Sequence, residues 1–104
     1  MSIAKWTIED IPSLTGKTVI VTGGNSGLGF HAVKAYAAKG AQVIMACRNV
    51  AKGDEAKAAI CKEFPKAEVI VMQLDLMQLS SVRKFAEVFK QNFKQLDILL
   101  NNAG

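Results

Sequence analysis

A glycine-rich segment, VTGGNSGLG at residues 21–29, is the part of the sequence best suited to holding an anion. Glycine tolerates sharp turns, and its missing Cβ lets a bound group approach the backbone closely. The segment lies between a β-branched run at residues 17–22 and an alanine-rich run, so it predicts a strand, a turn and a helix. Backbone N–H groups at such a helix start favour a phosphate. We therefore predict a pyrophosphate site here, with a purely structural glycine turn as the alternative.

The end of the second predicted strand, residues 41–47, carries cations where a carboxylate is expected. Dinucleotide sites that prefer NAD place an acid at this point, where it bonds to the adenosine ribose. Here Cys47 occupies that position, Arg48 follows it, and Lys52 lies four residues beyond Arg48. A guanidinium and an ammonium favour a 2′-phosphate, so the pattern favours NADP over NAD. The alternative is that both residues are solvated surface cations.

Asp75 ends the third predicted strand, residues 67–75. Its carboxylate could accept a hydrogen bond from the amino group of an adenine, with the backbone of Leu76 beside it. A turn or helix-cap aspartate is an equally good interpretation of the same spacing.

The remaining pattern supplies the elements that position these residues. Asn49 is predicted to cap a helix that ends near Phe64. Ser80 or Ser81 is predicted to cap a third helix, and a fourth strand follows at residues 96–102. The third helix has apolar residues at spacings of three and four, which predicts one stripe facing a sheet. The stripe comprises Val82, Phe85, Ala86, Phe89, Phe93 and Leu96.

Apolar strands that alternate with amphipathic helices predict an α/β fold with a doubly wound, Rossmann-like parallel sheet. The element order is β-α-β-α-β-α-β, and right-handed crossovers favour the strand order 3-2-1-4. A crevice is then expected between strands 1 and 4, at their carboxyl ends. Residues 1–13 are expected to form an N-terminal arm, and residues 14–104 the nucleotide-binding domain.

The composition argues against several other classes of protein. The 104 residues are enough for one small domain, and a net charge of +4 without a basic, aromatic stripe argues against a nucleic-acid partner. Cys47 and Cys61 have no paired histidine, which argues against a zinc site or a disulfide framework and favours a reducing compartment such as the cytoplasm. No apolar run approaches the length of a membrane span. Met45, Met72 and Met77 are predicted to fill the core.

Four motifs in register, TGGNSGLG, ACRN, LDL and NNAG, resemble the short-chain dehydrogenase/reductase superfamily, and VIMACRNVAKGDEA resembles its retinol dehydrogenase and protochlorophyllide reductase branch. The resemblance implies an oxidoreductase that moves hydride between NADP(H) and a carbonyl, an alcohol or a conjugated double bond of a small-molecule substrate. We also expect a homo-oligomer. The cofactor-binding residues expected in this sequence are Gly23, Asn25, Ser26, Gly27, Leu28, Gly29, Arg48, Asn49, Lys52, Asp75, Leu76, Asn102, Ala103 and Gly104.

The family's catalytic groups have no matching position among these residues. They are an asparagine, a serine and a Tyr-x-x-x-Lys pair on later elements, whereas Tyr36 has Gly40 where the lysine would be needed. We therefore expect the cofactor-binding part of an enzyme, truncated before the catalytic part, with no catalytic residue of its own. The alternative is a non-catalytic nucleotide-binding module, or a truncated form that acts through a partner. A methyltransferase that binds S-adenosylmethionine is disfavoured, because it also needs a carboxylate on its ribose.

Overall fold

Seven elements alternate along the part of the chain that a computed structural model describes, residues 13–25 and 27–101. They are β1 (Thr18–Thr22), α1 (Gly27–Ala38), β2 (Gln42–Cys47), α2 (Val50–Glu63), β3 (Glu68–Gln73), α3 (Leu79–Asn92) and β4 (Ile98–Asn101). The predicted arm up to residue 12 lies outside the described residues, as do the predicted site residues Ser26, Asn102, Ala103 and Gly104.

The four strands form one parallel sheet in the order β3-β2-β1-β4, which confirms the predicted fold class and strand order. Val21 of β1 pairs with Met45 of β2 on one side and with Leu100 of β4 on the other. Because all four strands run the same way, their carboxyl ends meet along a single edge of the sheet. The loops that carry the predicted site residues leave the sheet at this edge.

Helices α1 and α2 cover one face of the sheet with a fully buried cluster. Val21 and Met45 of the sheet, Val33 of α1 and Ile60 of α2 all belong to it, and none of the four exposes any surface. Burial of each such side chain contributes about 1.5–3 kcal/mol relative to leaving it in water. This face is therefore the main support of the fold and of the start of α2.

Helix α3 covers the opposite face only partly. Its apolar stripe packs against the cluster around Ile20 and Ile44, yet no residue of α3 is fully buried. The prediction of the stripe was wrong for two residues, because Ala86 is exposed and Leu96 lies in the loop after α3. The residues that do pack against the cluster are Val82, Phe85, Phe89 and Phe93.

The start of α3 also differs from the prediction, since Gln78 and neither predicted serine occupies the N-cap position. The turn closed by the N–H of Gln78, which donates to the carbonyl of Asp75 at 3.1 Å, begins the helix earlier than expected. The hydroxyl of Ser81 instead accepts a hydrogen bond from the N–H of Asp75 at 2.9 Å. Ser81 therefore ties α3 back to the end of β3.

Asp97 fastens β4 to the start of β1. Its N–H donates to the carbonyl of Thr18 at 2.9 Å, and the N–H of Thr18 donates to Asp97 Oδ2 at 2.8 Å. The side-chain amide of Gln95 donates to both carboxylate oxygens. The hydrogen bond from Thr18, aided by Gln95 and the charge of Lys17, holds the pKa of Asp97 below its ordinary value.

Candidate functional site

A cleft of about 550 Å³ opens over the carboxyl ends of β1, β2 and β3. Its walls come from the glycine turn, the start of α2 and the loop between β3 and α3. It contains seven of the predicted site residues, brought together from segments far apart in the sequence: Gly23, Asn25, Arg48, Asn49, Lys52, Asp75 and Leu76. The other lining residues are Thr22, Ala46, Cys47, Leu74 and Met77.

The glycines of the turn have separate roles that the sequence could not assign. Gly23 and Gly27 have φ angles of 64° and 58°, in the left-handed region that favours glycine. A Cβ on Gly24 would lie 2.8 Å from Cγ of Met45 and 3.0 Å from Cγ2 of Val33, so Gly24 permits close packing of the turn onto the core. Gly24 was not among the predicted site residues, because the need for glycine there comes from close packing against residues distant in sequence.

The first turn of α1 lies beside the cleft and contributes no lining residue among those described. Gly27, Leu28 and Gly29 were all predicted to surround a pyrophosphate. A Cβ on Gly27 would meet nothing within 4 Å, so the space above it is open. Leu28 is half-exposed, whereas Gly29 is buried within the helix packing.

Two cations, Arg48 and Lys52, reach the cleft from the loop after β2 and from the first turn of α2. Asn49 caps this helix as predicted, because its Oδ1 accepts a hydrogen bond from the N–H of Lys52 at 3.2 Å. The first turn of α2 has no acidic residue, and Asp75 is the one carboxylate among the described lining residues. This end of the cleft is therefore suited to an anion.

Cys47 ends β2 as a buried, neutral thiol. Its side chain is 3% exposed and lies under α2, and the thiol donates to the carbonyl of Asn49 at 3.5 Å. Burial, together with the charge of Asp54, raises the pKa of the thiol. Cys47 therefore supplies no negative charge at the end of β2, where the corresponding residue of an NAD-preferring site would be an acid.

Asp75 is held in a turn, which agrees with one interpretation of its spacing, and it also lines the cleft; the adenine contact stays a prediction. Its Oδ1 accepts from the N–H of Met77 at 2.9 Å, and its own N–H donates to Ser81. Met77 was predicted to fill the core, yet it is 85% exposed at the rim of the cleft beside the half-exposed Leu76. The turn that Asp75 closes carries Met77 outward, which explains why the core prediction was wrong.

The described cleft lies over the ends of β1, β2 and β3, and the described part of β4 contributes no lining residue. The crevice expected between β1 and β4 stays a prediction, because the residues that follow β4 lie outside the described part of the chain. Near β4, the hydroxyl of Thr22 donates to Oδ1 of Asn101 at 3.0 Å, joining the ends of β1 and β4. The predicted contributions of Asn102, Ala103 and Gly104 lie outside the described residues.

Residues 13–25 and 27–101 contain no group of three or more histidine, cysteine, aspartate or glutamate side chains arranged to hold a metal ion. None of the helices in this part of the chain combines the length and apolar character needed to cross a membrane.

A parallel sheet of order 3-2-1-4, with a glycine turn after its first strand, defines a Rossmann-like α/β domain. The family model described as short chain dehydrogenase matches residues 17–104, and the chain belongs to the short-chain dehydrogenase/reductase family. The alternation of strands and helices and the glycine turn are therefore those of a known oxidoreductase family.

Curated relatives share this part of their sequence with the chain. A short-chain dehydrogenase/reductase of Armillaria gallica is 54% identical over 100 residues, which are 96% of this chain and 32% of the relative. Human retinol dehydrogenase 12 is 45% identical over 91 residues, which are 88% of this chain and 29% of the relative. The chain thus spans about a third of the length of these relatives.

Solved structures show the same similarity in three dimensions. Menthone neomenthol reductase from Mentha piperita superposes with a TM-score of 0.80 at 40% identity, covering 85% of this chain and 31% of that chain. A complex of RhlG from Pseudomonas aeruginosa with NADP superposes with a TM-score of 0.79 at 27% identity, covering 88% of this chain and 36% of that one.

Proposed function

We propose that residues 14–104 form the adenosine side of an NADP(H) site in an oxidoreductase. The whole protein would transfer hydride between NADP(H) and a carbonyl, an alcohol or a conjugated double bond of a small-molecule substrate. One observation carries the choice of NADP over NAD: Arg48 and Lys52 line a cleft in which β2 ends in the buried thiol of Cys47. The NADP complex of the structurally similar RhlG supports the same choice.

The cleft residues fit such a cofactor. The left-handed turn at Gly23 and the open space above Gly27 suit a pyrophosphate against the backbone. Arg48 and Lys52 would hold the 2′-phosphate, and the carboxylate of Asp75 would accept from the adenine amino group. NADP(H) would supply the hydride chemistry. The other cofactor contacts that we propose are Asn25, Ser26, Leu28, Gly29, Asn49, Leu76, Asn102, Ala103 and Gly104.

No described residue is proposed as the acid or base of the reaction. Tyr36 is buried on α1 against the sheet, does not line the cleft, and has its pKa raised by burial. Family membership favours the cofactor-binding part of an oxidoreductase over a non-catalytic nucleotide-binding module. We further propose that the protein works in the cytoplasm as a homo-oligomer.

A titration of the 104-residue chain with NADPH and with NADH tests this proposal. Calorimetry should give a tighter dissociation constant for NADPH, by about tenfold or more, because charge-assisted bonds to the extra phosphate contribute about 1.5–3 kcal/mol. Inorganic phosphate serves as the control for non-specific anion binding to a chain of net charge +4. Equal affinity for the two dinucleotides, or binding of neither, would refute the proposal.

A further inference from the structure

Helix α2 sits close to the sheet at one glycine, Gly53. A Cβ at this position would lie 2.6 Å from Sγ of Cys47 and 2.7 Å from Cγ1 of Val71, closer than real Cβ atoms come to their neighbours. The φ angle of Gly53 is not in the left-handed region, and glycine is among the poorest residues inside a helix. Lack of space above β2 and β3 is therefore the physical reason for a glycine here.

Gly53 belongs to the same helical turn as Lys52, one of the two proposed phosphate contacts. Its N–H donates to the carbonyl of Asn49 at 3.0 Å, while Oδ1 of Asn49 accepts from the N–H of Lys52. These two bonds join Asn49, Lys52 and Gly53 into one unit. The close packing of Gly53 on Cys47 and Val71 sets the height of that unit above the sheet. It thereby also sets the distance between the ammonium group of Lys52 and a ligand in the cleft.

We infer that Gly53 is a positioning residue for the 2′-phosphate, and this inference rests on the proposed function. A larger residue would lift the first turn of α2 away from the ends of β2 and β3. Lys52 would move with the turn. Arg48 would also shift, because it is joined to the helix through the capping residue Asn49. A nucleotide with a 2′-phosphate would then bind more weakly, whereas one without it would be held by the unchanged glycine turn and by Asp75.

The test compares adenosine 2′,5′-bisphosphate with 5′-AMP, two probes that differ only in the 2′-phosphate. Gly53→Ala should reduce the ratio of their affinities about tenfold by calorimetry, with the affinity for 5′-AMP little changed. The matched control is Gly40→Ala, at the opposite end of the sheet, where a Cβ would lie 2.7 Å from Oγ1 of Thr15. That variant is also crowded, and its φ of 93° adds strain, yet it should keep the ratio.

Rescue separates positioning from a general loss of stability. In the Gly53→Ala chain, adding Cys47→Ala and Val71→Ala removes both atoms that the new Cβ would meet, and this should restore the ratio. If circular dichroism shows that Gly53→Ala does not fold, Val71→Ile takes its place in the test, because it crowds Gly53 from β3. The milder variant should lower the ratio in the same direction.

Each result has a definite meaning. An unchanged ratio in the folded Gly53→Ala chain, or in Val71→Ile where it replaces that variant, would overturn the inference. An equal fall in the affinity for both probes would overturn it as well. A wild-type chain that binds both probes equally would remove the proposed function and this inference with it. If the wild-type chain prefers adenosine 2′,5′-bisphosphate and the crowded variant keeps that preference, the proposed function holds and only the inference about Gly53 is refuted.

Discussion

Replacement of Arg48 by aspartate is the sharpest test of the phosphate assignment. Arg48 is exposed in the loop between β2 and α2 and lines the cleft together with Lys52. Arg48→Asp removes a positive charge and places a negative one beside the proposed phosphate. The new carboxylate would also follow β2 closely, near the position from which an NAD-preferring site bonds to the ribose. We therefore expect the preference between NADPH and NADH to invert.

The magnitude follows from the exposure of Arg48. Two unit charges 4 Å apart interact by about 1 kcal/mol in bulk water and about 4 kcal/mol near a protein surface, and salt weakens the attraction at an exposed site. A charge-assisted hydrogen bond contributes about 1.5–3 kcal/mol. We expect the relative affinity for NADPH to fall by about 2 kcal/mol, which corresponds to about 30-fold.

Calorimetric titrations of wild type and variant with both dinucleotides, at the same ionic strength, measure this change. Lys66→Asp is the matched control, because it alters the net charge equally at the turn between α2 and β3, at the other end of the sheet. The control should keep the wild-type preference. If Arg48→Asp leaves the relative affinities unchanged, Arg48 does not hold the 2′-phosphate and the choice of NADP loses its main support.

Three further predictions concern the framework of the site. Asp97→Asn should destabilise the fold at about pH 7; because the pKa of Asp97 is lowered in the folded chain, this stabilisation is lost as the pH falls from about 4 through the folded-state pKa, so urea unfolding should show the difference between the two chains shrinking below about pH 4, and a difference that stays constant would contradict it. Gly24→Ala should cost about 1–3 kcal/mol of unfolding free energy, because its Cβ would meet Met45, and an unchanged urea midpoint would rule this out. The 104-residue chain should self-associate, since β4 is an edge of the described sheet and its Leu99 is 58% exposed; a stable monomer in sedimentation would argue otherwise.

The sequence was sufficient to predict the sheet and most of its elements. Apolar strands separated by helical periodicity leave few arrangements, and the strand order 3-2-1-4 was confirmed. The cap at Asn49 was predictable because capping is a local interaction. The start of α3 was not, because the turn at Asp75 and the hydrogen bond from its N–H to Ser81 compete with capping by that serine.

The cleft was predictable as a set of residues and less so as a shape. Loops that follow parallel strands meet at one edge, so Gly23, Arg48 and Asp75 could be grouped from their spacing alone. The tight contacts at Gly24 and Gly53 depend on residues of other elements, and no local pattern in the sequence reports them.

The partial cover of α3 also bears on how this 104-residue chain moves. A helix without a fully buried residue has few contacts that resist local opening, so the amides of α3 should exchange with deuterium sooner than those of β1 and β2. Ser81 travels with α3, and each opening would release the N–H of Asp75 from its acceptor. Transient detachment of the helix on one face of the sheet would thereby loosen the part of the cleft that Asp75 lines, which is the end we propose for adenine.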